Sequence, residues 1–404
     1  MHLKSSTSII MSVGNLLFAT FLLVLMLDPG NSILKLKDIT FILFFGFNLL
    51  FLKPNLKMLI PVGLAFGVLS LGYLIAIMQD SLIDEAFLVA SFKAMAPLFL
   101  LLWVHHYDVL RIARAPAFIT CVFILIVYGF VASNEAIEYA LWKYSKENDE
   151  IVMITTRNLL GVRVFGMYYR SIVSIIPILF LFYFYAPKRW TYLIASIILT
   201  ATFMISGTRA MMLAPFIILI IVFYRKIIEM RKVRYYLFPI LTFAFLAFVF
   251  VIILLATQQG DESNAIKYGH LESYAELFNS HPEYLIWGQG TGTMFYTIGF
   301  NRLTPITEWI YIELLRNYGL MSLIILGIYV YPLYVFYRHR NDRFTFGLGL
   351  TYASFLLVAG TNPFLLNSQG MTVLWMMYSH ALSLHKPPSN DNSTDITSHS
   401  PLQV

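Results

Sequence analysis

Apolar positions in this chain neither alternate nor keep to one helical face; they run on. Stretches of about twenty return along its 404 residues, separated by short polar breaks. Most are long enough to cross a ~30 Å hydrocarbon layer as a helix, which satisfies its own backbone hydrogen bonds where water cannot, and the second and eighth are short. About twelve such spans are expected, near residues 8–27, 38–53, 57–78, 86–105, 112–132, 169–186, 190–206, 211–224, 236–256, 308–337, 344–359 and 370–385. The expectation is an all-α polytopic membrane protein. Composition agrees: 58% hydrophobic and 12% charged residues, with a mean hydropathy of +0.71, leave too little polar surface for a water-soluble globule.

Lys and Arg near helix ends favour the cytoplasm. Lys4, Lys53 with Lys57, Arg111 with Arg114, Lys188 with Arg189, the cluster from Arg225 to Arg234, Arg338 with Arg340 and Arg343, and Lys386 fall on alternate connections. Both termini are therefore expected inside. The net charge of +6 is then a topology signal and not a nucleic-acid footprint. The first segment lacks a small-residue cleavage site and is expected to stay as a helix. Cys121 is the single cysteine, so no disulfide forms within the chain.

The resulting plan is five helices in 1–132, an outer loop over 133–168, four helices in 169–256, a larger outer loop over 257–307, three helices in 308–385, and a polar tail at 386–404 read as disordered. In a Gram-negative cell both loops would face the periplasm from the inner membrane. Within the first, AIEYALWKYSKEND has helical spacing of apolar and aromatic residues beside charges, which suits a helix at the membrane surface, packing over the bundle or gripping lipid.

The outer side also collects arginine against the charge bias. Arg209 lies in SGTR, the tight turn between the seventh and eighth spans, and Arg157, Arg163 and Arg170 lie in TTRNLLGVRVFGMYYRS, read as loop and helix entrance. One such residue is accounted for by snorkelling. Four together suggest a site for an anionic, phosphorylated, lipid-linked ligand, because guanidinium presents a fixed fork of donors to phosphate oxygens. Lys93 in the fourth span must face a cavity or snorkel outward. No His, Cys and carboxylate grouping has metal-ligand spacing, so neither a metal nor another cofactor is expected.

In the second loop, Gly288, Gly290 and Gly292 allow a close turn after Trp287. As a nucleotide signature this is rejected, since no strand precedes it and the loop is outside the cytoplasm. The span that follows has about 31 residues, roughly 46 Å as a helix, too long for a bilayer. It is expected to protrude or break, with Gly319 the place, and to carry Glu308 and Arg316 on similar faces at its outer end.

SGTRAMMLAP, RVFGMYYRSIVSIIP, GHLESYAELFNSHPEYLIWGQGTG and TEWIYIELLRNYGLMSL, in that order between the spans, resemble the O-antigen polymerase and O-antigen ligase superfamily over residues 155 to 335. The resemblance implies a periplasmic glycosyltransferase whose donor is an undecaprenyl pyrophosphate-linked sugar, with arginines holding the pyrophosphate. It also implies membrane lipid and a chain-length regulator protein as candidate partners, and no nucleic acid. Two positions depart from the pattern. Where many relatives have Arg and, four residues on, Trp, this chain has His270 and Tyr274, with Lys267 close enough to substitute. Where the ligase branch has a catalytic His, this chain has Glu308, which favours polymerase over ligase.

The chemistry needs fixed positive charge for a departing pyrophosphate and a group to orient the attacking hydroxyl. Arg209, Arg163, Arg170 and Arg157 suit the first role. Glu308 suits the second, unless it is only a carboxylate favoured by a helix N-terminus. His270, Lys267, Arg316 and Lys93 are further candidates for acceptor or loop contacts. The alternatives are a ligase passing glycan to lipid A core, and a flippase for lipid-linked oligosaccharide, which would also have about twelve spans.

Overall fold

The computed structural model describes residues 2–32, 34–147, 151–159, 162–229 and 262–385. Within them the chain is mostly helical: α1 (His2–Leu27), α2 (Leu36–Phe51), α3 (Leu59–Met78), α4 (Glu85–Met95), the short α5 (Val109–Ile112), α6 (Arg114–Ser133), α7 (Glu135–Glu147), α8 (Ile172–Tyr185), α9 (Trp190–Ile205) and α10 (Arg209–Glu229). After the expected span at 236–256, which lies outside the described residues, come α11 (Glu262–Ser280), α12 (Tyr284–Trp287), α13 (Ile310–Tyr318), α14 (Ser322–Arg338), α15 (Arg343–Gly360) and α16 (Ser368–Ser383). The tail at 386–404 also lies outside the described residues.

Among the described residues, six helical stretches are long and apolar enough to cross a membrane: 8–27, 56–78, 85–102, 109–133, 310–338 and 343–360. Three shorter apolar ones lie at 172–188, 190–205 and 209–223. The chain is therefore a mostly helical, multi-pass membrane protein. Two helices sit at its centre. Every position of α8 from Ile172 to Phe182 is buried, and so is α16 from Gln369 to Ser379. A helix apolar all round belongs inside a bundle, where neighbours cover its whole circumference. On α16, Trp375 packs against Phe18 and Phe21 of α1 and donates its indole N–H to the Pro97 carbonyl at 3.2 Å.

Local chemistry sets the breaks. Asp84 caps α4 by accepting the Phe87 amide, and Pro97 marks where that helix tightens to 3-10 geometry over Ala96–Leu102. The expected fourth span is therefore a helix in two geometries. The break expected at Gly319 is present: α13 ends at Tyr318, and Gly319 takes φ 54° with its Cα against the Ile286 carbonyl, where a Cβ would lie 2.2 Å away. Only glycine fits that approach.

Three expectations need correction. The stretch read as loop and helix entrance, 152–169, is a β-hairpin, with β1 (Val152–Leu159) antiparallel to β2 (Val162–Tyr169) from Val152 opposite Tyr169 to Leu159 opposite Val162. A smaller one pairs β3 (Phe295–Thr297) with β4 (Arg302–Thr304), so the fold is not wholly helical. Third, Glu308 is not on a helix: α13 starts two residues later, with Trp309 at its N-cap. The helix read in 136–149 is present, as far as its residues are described, as α7, started by Asn134, whose side chain accepts the Ala136 amide at 2.9 Å.

Candidate functional site

Helix α11 brings several of the candidate residues together. Its buried face carries Gly269, His270, Ser273 and Tyr274; Asn264 and Lys267 lie along one flank, three residues or about 4.5 Å of rise apart. Both flank residues meet motifs from distant parts of the chain. Asn264 accepts from a guanidinium nitrogen of Arg209 at 3.5 Å. Arg209 opens α10 directly after the turn in which Gly207 takes φ 66°, so the SGTR motif is the tight turn expected. Lys267 faces Glu308 with Nζ to Oε2 at 3.5 Å, and its backbone carbonyl accepts the indole N–H of Trp309 at 3.1 Å.

Arg209, Lys267 and Glu308 are thus gathered along one flank of α11. The Lys267 and Glu308 side chains are 28% and 33% exposed, so their ion pair is worth only ~0–1 kcal/mol and either partner can exchange to a ligand. The arrangement offers an anion two cationic side chains and an incoming hydroxyl a carboxylate.

The other candidates lie elsewhere. Arg170 follows β2 at the base of the hairpin, its amide donating to the Ile151 carbonyl at 3.0 Å. Arg157 and Arg163 are placed on the strands opposite Val164 and Asn158, and their side chains lie outside the described residues. Lys93 is bonded to Asp38 of α2 at 2.6 Å and is 58% exposed, so it belongs to an ion pair on the outside of the bundle. His270 is wholly buried beneath Gly299 and Phe300, with no hydrogen-bond partner on either ring nitrogen, so it does not reach the surface where an acceptor would arrive.

Arg316 is the largest correction, because it shares no face with Glu308 and is fully buried. Its guanidinium clasps the Glu313 carboxylate in two hydrogen bonds. It also donates to Gln289 Oε1 at 2.6 Å, the Thr293 carbonyl at 3.1 Å, Thr293 Oγ1 at 2.9 Å and the Pro305 carbonyl at 2.9 Å. It lies 4.4 Å over the Phe295 ring as well. With its donors consumed internally, Arg316 binds the fold and not a ligand. The glycine-rich turn is built into the same core: the Gln289 amide donates to the Arg316 carbonyl at 2.6 Å, Gly290 to Asn317 at 3.1 Å and Thr291 to Gly72 at 3.1 Å. Its amides are spent inside the protein, and its glycines permit the close approach to α3 and α13.

Sequence reasoning missed Glu313, Tyr274 as a hydrogen-bonding residue, Thr307 and Gln289. A signal for the first was present: Glu313 and Arg316 stand three apart in an apolar helix, a spacing that pairs charges the hydrocarbon would otherwise reject. Comparison with protein-family models, curated proteins and solved structures returned no match.

Proposed function

We propose that the chain is a metal-independent membrane glycosyltransferase that polymerises an O-antigen or related surface polysaccharide from undecaprenyl pyrophosphate-linked repeat units on the periplasmic side of the inner membrane. The observation that carries the reading is that neighbouring turns of α11 hold both groups, Arg209 through Asn264 and Glu308 through Lys267. In the reaction a sugar hydroxyl of one lipid-linked unit attacks the anomeric carbon of another. The bond from that carbon to the pyrophosphate oxygen breaks, polyprenyl pyrophosphate departs, and the hydroxyl proton passes to Glu308 and then to water. Arg209 and Lys267 offset the charge that grows on the leaving group; Arg157, Arg163 and Arg170 extend the positive field on that side. Glu308 orients the hydroxyl and accepts its proton as the new bond forms.

The test is the surface-glycan gel of a deletion strain. A band with a single repeat unit supports the polymerase. Polymer retained on its lipid carrier with none attached to core lipid would mean a ligase, and failure of units to reach the outer side would mean a flippase.

A further inference from the structure

Tyr274 is 2% exposed and forms part of a directed chain of hydrogen bonds. Its hydroxyl donates to Glu313 Oε2 and lies 2.6 Å from Thr307 Oγ1. Since the phenol proton is committed to a carboxylate, Thr307 is the donor in the second bond. Thr307 Oγ1 in turn accepts the Trp309 amide at 3.3 Å. The chain reads Trp309 N–H to Thr307 to Tyr274 to Glu313, and Arg316 clasps the far end. Bonds aligned in one direction polarise and strengthen one another in a dry site. Burial, and then the Glu313 charge, push the Tyr274 phenol well above its ordinary value of 10.0, so it stays a donor.

Glu308 is the residue between two members of that chain. Thr307 before it is tied to Tyr274 on α11, and Trp309 after it is tied by its ring to the Lys267 carbonyl on the same helix. Residues 307 and 309 are therefore docked to α11 on both sides of Glu308, which presents the carboxylate to the flank where Lys267 stands. The Tyr274 ring is held independently of its hydroxyl, against Phe295 at 5.2 Å and Phe278 at 6.2 Å between centroids.

We infer that Tyr274 is a positioning residue that aims Glu308 through Thr307. The inference rests on the proposed function for its catalytic meaning and on geometry alone for the aiming itself. Tyr274→Phe keeps the ring and its packing and removes only the hydroxyl; Thr307→Val keeps the shape and breaks the same link from the other end; Thr307→Ser restores the link.

The experiment places Glu308→Cys in the full-length chain purified in detergent, where the native Cys121 is fully buried, and follows the rate of maleimide labelling. Tyr274→Phe and Thr307→Val are each expected to change that rate by about threefold or more, the two together no more than either alone, because both cut one path. Thr307→Ser is expected to label at the reference rate. An unchanged rate in Tyr274→Phe, or effects that multiply in the double variant, overturns the inference. With Glu308 present, Tyr274→Phe should lower kcat for polymer formation by roughly tenfold at an unchanged donor KM, since a small misplacement of a reacting group costs rate before it costs binding. If the labelling pattern holds while the native chain forms no polymer, the aiming stands and the catalytic reading of the site falls.

Discussion

Arg209 is the residue on which the anion-binding half of the account depends. Lysine there keeps the charge but loses the planar fork, so Arg209→Lys is expected to cut polymer to below about a tenth of the native level at equal protein abundance. A normal ladder of bands would reduce Arg209 to an interface anchor. His270 makes a different prediction, in pH. Burial lowers its pKa from 6.5, with Glu313 acting in the opposite sense. Among the cations around it, Lys267 stands three residues before it on the same helix, Arg302 lies 5.4 Å over the Phe300 ring that packs on it, and Arg316 clasps Glu313. A folded-state value below the unfolded one means that the stabilising contribution is full above pH 6.5 and is lost as pH falls through the lowered value. Amide exchange over residues 296–302, corrected for its intrinsic pH dependence, should therefore accelerate below pH 6.5 by at most about tenfold per unit. His270→Phe should abolish the acceleration; equal protection across that range in the native chain contradicts it.

Elements differ in how far their sequences reveal them. The SGTR turn and the break at Gly319 were legible because each interrupts a long apolar run with residues that cannot continue a helix unchanged. The hairpin at 152–169 was not. Its β-branched residues suit strands, but aromatic and apolar positions run straight on into α8 and look like the start of a span. Arg316 was misplaced for a related reason: spacing along a helix puts residues on a face without saying what covers that face. Here the glycine-rich turn and α11 cover it, and buried Arg316 and Glu313 join them to α13. Arg316→Ala leaves Glu313 buried without its partner and is expected to destabilise the fold by ~3–5 kcal/mol, read as a lower midpoint of unfolding in detergent. An unchanged midpoint would mean that the clasp contributes nothing net.

At the scale of the whole molecule, the membrane character follows from composition and length alone, and the buried α8 and α16 bear it out as the centre of a helical bundle. Sidedness rests on the basic connections. Cysteine placed at residue 140 or 265 is expected to react with an impermeant thiol reagent from the periplasm, and one at 230 is not. The reverse pattern would move the site to the cytoplasmic side. The candidate site was legible in its ingredients but not in its assembly. Arg209, Lys267 and Glu308 each stood out, yet nothing in their spacing announced that one flank of α11 gathers them.

The most direct measurement is reconstitution of the native chain and of Glu308→Gln in proteoliposomes supplied with undecaprenyl pyrophosphate-linked repeat units, a chelator of divalent cations and no nucleotide. The account predicts that the native chain extends the units into a ladder, and that Glu308→Gln retains the donor while leaving single units. No ladder from the native chain, or an equal ladder from Glu308→Gln, would contradict it.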